Sequence, residues 1–326
     1  MNIKYLFWNG EENRVRSLWR VLIQLLLTLF LIFVISTIVV NLLIMAGISP
    51  KFMNTAPGDT IIYFFTLVST VLSVWFVGTK LDKRPFYEFG FDINKDWWLD
   101  FIFGFVLGIF LMGIIFIIEL KAGWIEIKNS VFQGIGSGTS ASVLTGIFLN
   151  LIFFIMVGIE EELLSRGYQL LNLSEGFNYK KSHPVGAIIL ATLVTSGFFS
   201  ILHAGNPNVT AVSLINIFLA GIFLATGFVL TGQLAIPIGL HISWNFFQGN
   251  VFGFPVSGMN RQASLITIQQ KGPELWTGGA FGPEAGLLGV LATLLGILLI
   301  VGWVVFRYKK AGICTGLAEY NHIKEV

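Results

Sequence analysis

Apolar runs of about 20 residues, the length an α-helix needs to cross a bilayer, recur along the chain between short polar segments. Eight windows meet that length, at residues 21–46, 60–79, 99–120, 140–173, 184–203, 209–231, 234–253 and 284–306. The first outruns the ~7–15 residue core of a signal peptide, so it reads as a retained helix. The expected fold is all-α: a polytopic membrane helix bundle of about eight transmembrane helices, with no soluble domain and no internal repeat. It divides into helices 1–3 with an interfacial segment (residues 1–139), helices 4–7 (140–253), and a loop, helix 8 and tail (254–326). The Gly- and Pro-rich stretch between helices 7 and 8 reads as an ordered loop or re-entrant turn.

Composition sharpens this picture. Of 326 residues, 55% are hydrophobic and 12% charged, and the mean hydropathy is +0.79, which places the chain among membrane proteins. A net charge of +2 without a dense basic run gives no reason to expect nucleic acid as a partner; the partner that composition implies is the lipid bilayer. The single cysteine, Cys314, excludes a disulfide framework. Lys4, Arg14, Arg16 and Arg20 precede helix 1, Lys80, Lys83, Arg84 and Lys95 follow helix 2, Arg166, Lys180 and Lys181 go with the end of helix 4, and Arg307, Lys309 and Lys310 follow helix 8. They outnumber Lys51, Lys121, Lys128, Arg261 and Lys271 on the other side. Because positive residues accumulate in cytoplasmic segments, the expectation is a multi-pass cell-membrane protein with both termini cytoplasmic.

Three consecutive carboxylates interrupt one apolar helix. The stretch GIEEELLSRG (158–167) follows LNLIFFIMV, and ionisable groups in a bilayer cost at least about 2.5–3.5 kcal/mol each. A helix ending at Glu160–Glu162 is the bland explanation. Carboxylates at a helix C-terminus oppose the macrodipole, however, and LLSRGYQLL stays apolar at helical spacing, so the helix is expected to run to about Leu173. Glu162 and Arg166, four apart, share a face and pair, whereas Glu161 points about 100° away. Glu162 is thereby neutralised and Glu161 is left free to take a proton from water. Helix 5 ends in GFFSILHAGN, with Phe199 and His203 four apart, and helix 7 contains GLHISWN, with His241 and Asn245 on one face.

EELLSR (Glu161–Arg166), FSILH (Phe199–His203) and HISWN (His241–Asn245) resemble, in order, the EExxxR, FxxxH and HxxxN/D motifs of the CPBP intramembrane proteases. That family holds the CAAX-processing, Ras-converting-type enzymes and bacterial relatives of the Abi type. The resemblance spans residues 140–253, which it marks as a catalytic core, and TGGAFGPEAG (277–286) also looks like a segment frequent in bacterial members. The motif spacing counts back from Arg166 to Glu161 and Glu162, leaving Glu160 expected to have no role.

The resemblance implies a membrane endopeptidase acting on a membrane-associated protein or peptide, in which Glu161 and His203 activate water and His241 and Asn245 stabilise the oxyanion, with Glu162, Arg166 and Phe199 orienting them. A neutral His and an Asn amide donate to an oxyanion without adding buried charge. No cofactor is required on this reading; the alternative is zinc held by Glu161, His203 and His241 with an open position. Two other classes use buried Glu and His in a membrane: a catalytically silent scaffold or immunity factor, and a proton- or ion-coupled transporter, which favours ionisable groups spread over several helices with repeat symmetry. Rises of 1.5 Å per residue put Glu161 about 18 Å from a helix end at Leu173 and His203 about 28 Å along helix 5, and a cavity open to the cytoplasm is expected.

Overall fold

The computed structural model describes residues 4–130, 140–179, 183–260, 263–309 and 312–320. Lys180, Lys181, Arg261 and Lys310 of the charge distribution lie outside the described residues. Eight principal helices appear in the predicted order: α1 (Ser17–Met45), α2 (Ala56–Val77), α3 (Lys95–Lys121), α4, α5 (Pro184–Leu202), α6 (Ala211–Thr231), α7 (Ala235–Phe246) and α8 (Leu287–Tyr308). Helix α4 is composite: α-helix Ser140–Glu162, π-helix Leu163–Leu170 and α-helix Leu171–Phe177. Local chemistry explains several starts. Thr55 caps α2 by accepting from the Gly58 N–H, Asn94 caps α3 from Asp96 and Trp97, and Thr210 and Ser213 form a reciprocal capping box at α6. Helix α6 stops at Gly232, whose φ of +71° suits the left-handed turn that ends it.

Among the described residues seven helices are long and apolar enough to cross a membrane, and together they make an all-α multi-pass bundle. The eighth predicted helix forms but is shorter. Helix α7 has 12 residues, followed by a five-residue π-helix, Phe247–Val251. Every residue from Ala235 to Ser243 is buried, so its apolarity reflects surrounding protein rather than surrounding lipid, a distinction that hydropathy does not make. Helix α3 lies directly against it. A Cβ at Gly239 would sit 2.9 Å from the Phe105 backbone nitrogen, and one at Gly104 would run into the Ile236 backbone; only small residues let two helices approach this closely. Between α1 and α2 the contact is polar: Gln24 Nε2 donates to Thr28 (2.8 Å) and Ser73 (3.1 Å).

The two ends of the bundle differ. At one, Arg14 and Arg20 reach Glu175 Oε2 at 2.7 and 2.8 Å, Arg84 pairs with the same carboxylate, and Arg20 also meets Asp82 at 3.1 Å. The Tyr320 ring stacks 3.4 Å from the Arg14 guanidinium, and Asn178 donates to the Ala318 carbonyl at 3.1 Å. The amino-terminal arm, the α2–α3 connection, the end of α4 and residues 317–320 therefore share one end, which is the grouping that the Lys and Arg distribution gives. At the other end β1 (Ile125–Ser130) pairs antiparallel with β2 (Ile266–Gln270), and Val256 and Met259 close a tight turn with two mutual backbone bonds of 2.9 Å. Ser257 at φ +47° and Gly258 at φ +84° form its tip, the conformation of a two-residue hairpin loop.

Candidate active site

The triple glutamate lies inside α4, and its members face three ways. Glu162 is fully buried; its Oε1 accepts from Arg166 at 2.9 Å and lies 2.8 Å from His241 Nδ1. Arg166 also donates to the Gly221 carbonyl at 3.1 Å and rests 4.6 Å above the Phe199 ring. Glu161 is 26% exposed, and its Oε2 accepts no hydrogen bond among the described residues and lies 3.8 Å from His241 Nε2. Glu160, expected to be idle, is buried and tied to α2: Thr70 donates to it at 2.8 Å and Tyr63 at 3.1 Å. Spacing to Arg166 did not reveal this, because the partners come from another helix. The helix continues past the glutamates as expected, but as the π-helix from Leu163; a second π-helix follows Asn245 two residues on, at Phe247. Such turns widen a helix locally and occur frequently at functional sites.

Phe199, His203, His241 and Asn245 converge on Glu161 around one cavity of about 140 Å³. Aromatic and aliphatic groups make most of its wall, among them Tyr63, Phe153, Phe223, Leu240, Trp244 and Met259. The Phe199 ring lies 4.7 Å from the His203 ring and 6.4 Å from that of His241. His203 Nδ1 is 2.8 Å from the Phe199 carbonyl; a carbonyl only accepts, so Nδ1 carries the proton and a neutral His203 offers Nε2 to the cavity as an acceptor. The same logic amends the reading of His241. Its Nδ1 donates to the Glu162 carboxylate, so a neutral His241 presents a lone pair at Nε2 and donates there only when it carries both protons.

The chain path locates the cavity. Helix α5 starts beside Asn178, whose side chain accepts from the His183 N–H at 3.2 Å, and runs 19 residues away from the terminal end before reaching His203. The cavity wall also includes Val256, Ser257, Met259 and Glu284 from the far-end loops. The cavity thus occupies the half of the bundle away from the termini. The site is drawn toward His203, at the end of the bundle that carries the Val256–Met259 turn.

Glu284 is a cavity residue that sequence reasoning passed over. It sits between α7 and α8 in TGGAFGPEAG, and its only sequence signal is a lone carboxylate in a Gly-rich segment; an acidic residue beside a helix N-terminus is ordinarily explained by the macrodipole. Here Ser257 donates to it through its backbone N–H at 2.7 Å and its hydroxyl at 3.3 Å, and Gln248, whose Nε2 donates to the Pro255 carbonyl at 2.5 Å, lies beside it. Burial outweighs these bonds and pushes the Glu284 carboxyl up to about 7. A carboxyl raised on folding contributes stability that is full below its unfolded value and is lost as pH rises through about 7. Glu284→Gln, neutral at every pH, should therefore gain thermal stability relative to the native protein as pH goes from about 5 to 8, read as melting temperature in detergent at both pH values. A constant difference would mean that Glu284 is not held in its raised state.

No three His, Cys, Asp or Glu side chains come together as a metal-holding group among the described residues. Glu161, His203 and His241 share a cavity without being gathered as a three-ligand group.

Residues 143–247 match the family model for type II CAAX prenyl endopeptidases, Rce1-like. That segment carries Glu161, Glu162, Arg166, Phe199, His203, His241 and Asn245; Glu284 falls outside it. No curated protein and no solved structure matches the chain.

Proposed function

We propose that the protein is an intramembrane endopeptidase that hydrolyses a peptide bond of a membrane-associated protein or peptide. The observation that carries this reading is Glu161 Oε2, which accepts no hydrogen bond among the described residues and lies in an apolar cavity that also holds His203, His241 and Asn245. Water held between Glu161 and His203 Nε2 gives a proton to Glu161 as its oxygen attacks the carbonyl carbon. The Asn245 amide and the doubly protonated His241 donate to the oxyanion. Collapse breaks the C–N bond, and the proton on Glu161 passes to the leaving amine. Low dielectric in the cavity strengthens each of these interactions. On the Lys and Arg distribution we place both termini in the cytoplasm, which puts the cavity in the outer half of the bilayer.

The test is cleavage of apolar reporter peptides by protein purified into lipid nanodiscs and washed with a strong chelator. Activity should survive the wash, with zinc well below one per protein. Loss on chelation, restored by added zinc, would transfer Glu161, His203 and His241 to the role of ligands.

A further inference from the structure

We propose that Glu284 is a specificity residue of the cavity, selecting substrate segments that present a basic side chain or hydrogen-bond donors beside the scissile bond and disfavouring those that present a carboxylate there. This rests on the peptidase reading and deepens it.

The first argument is placement. His241, Asn245 and Gln248 follow one another at spacings of four and three, so they share one face of the helix that begins at α7. That face meets Glu162 at His241, lines the cavity at Asn245, and meets Glu284 at Gln248. Glu161 and Glu284 line the same cavity as Asn245, so a substrate carbonyl that accepts the Asn245 amide shares that cavity with both carboxylates.

The second argument is capacity. A carboxylate offers about four acceptor positions, and Ser257 occupies only part of them at Glu284. Glu284 also lines the cavity, so acceptor positions remain open to a bound peptide.

The third is charge. Two carboxylates, Glu161 and Glu284, line the cavity, and no Lys or Arg does so among the described residues. Arg166 is spent on Glu162 and the Gly221 carbonyl, and a protonated His241 is held between Glu162 and Glu161. Above about pH 7, where Glu284 is ionised, a substrate carboxylate beside it would meet like charge in an apolar surround, whereas a Lys or Arg side chain would find a partner.

The alternative for Glu284 is purely mechanical: it holds Ser257, and with it the Val256–Met259 turn, against the cavity. Glu284→Gln separates the two roles. Its amide oxygen still accepts from the Ser257 N–H and its NH₂ can donate to the Ser257 hydroxyl, so the turn stays fastened while the charge is gone.

The experiment uses one apolar, fluorophore-labelled peptide made in three forms, with Lys, Gln or Glu next to the scissile bond. Binding to the Glu161→Gln protein, which retains Glu284, should follow Lys > Gln > Glu, with Lys at least about tenfold tighter than Glu. In Glu161→Gln/Glu284→Gln the spread should fall to within about threefold, with a melting temperature at pH 8 no lower than that of Glu161→Gln. Equal binding of the three forms, no binding of any, or a spread that persists without Glu284 overturns the proposal. Native protein is tested for cleavage of the same three peptides. The predicted binding order without any cleavage supports Glu284 selectivity while overturning the peptidase reading, so the two failures are distinguishable.

Discussion

Glu161→Gln is expected to lower peptide cleavage by at least about 10²-fold, the low end for loss of a general base, with no change in melting temperature. The substitution keeps the shape of the side chain and removes the group that takes a proton from water. Glu161 carries no structural hydrogen bond at Oε2 and is the most exposed of the three glutamates, so the fold does not depend on its charge. Glu160 provides the internal comparison. Its two hydroxyl donors come from α2, and Gln still accepts from one of them, so Glu160→Gln should lose some stability and keep most activity. Paired measurements of melting and of kcat on one reporter peptide check this. Inactivation by Glu160→Gln together with full activity of Glu161→Gln would assign the base to the wrong glutamate.

Glu162→Gln and Arg166→Gln should each destabilise the protein strongly, because removing one partner of a buried ion pair leaves the other charge uncompensated, at about 3–5 kcal/mol. Glu162 binds two donors at a single oxygen, Arg166 at 2.9 Å and His241 at 2.8 Å, so its loss unfastens α4 from α7 as well as stranding Arg166. Arg166 keeps only the Gly221 carbonyl and the Phe199 ring when Glu162 is neutral. The double variant removes both charges and should regain part of the stability. It should not regain the activity, because His241 still lacks the carboxylate that holds its Nδ1 proton. Denaturation of the three variants in one detergent, with kcat beside each, reads both effects. A double variant no more stable than either single one would mean that the pair contributes by shape alone.

The division of labour within GIEEELLSRG was readable from spacing because the relevant partners lie on the same helix. Four residues separate Glu162 from Arg166, and the ion pair follows; five separate Glu161 from Arg166, and Glu161 is left to the cavity. Glu160 was misjudged by the same rule, since Tyr63 and Thr70 are about ninety residues away in the chain and nothing local announces them. The long helices were legible for a similar reason: their apolar length is a local property. Helix α7 was legible as a helix but not as a short, central one, because burial in protein and burial in lipid select the same residues. Positions of the π-helices carry no composition signal: two follow closely on the motif residues, and a third among the described residues, Gly78–Asp82, does not. Glu284 and the Arg14, Arg20, Arg84 and Glu175 cluster required long-range contacts that a single sequence does not encode in its spacing. The location of the cavity followed from the same contacts: once the Asn178 and Ala318 neighbours fix the start of α5, His203 falls at the far end.

On the proposed function, Glu161 cuts a peptide bond of a membrane-associated protein or peptide. The most direct measurement is a comparison of protein termini in membranes from cells producing the native chain and cells producing Glu161→Gln at equal levels, after growth in H₂¹⁸O. At least one membrane-associated protein should show a new C-terminus carrying ¹⁸O with the native chain and remain intact with Glu161→Gln. Identical termini in the two membranes, at equal amounts of folded protein, would contradict the account.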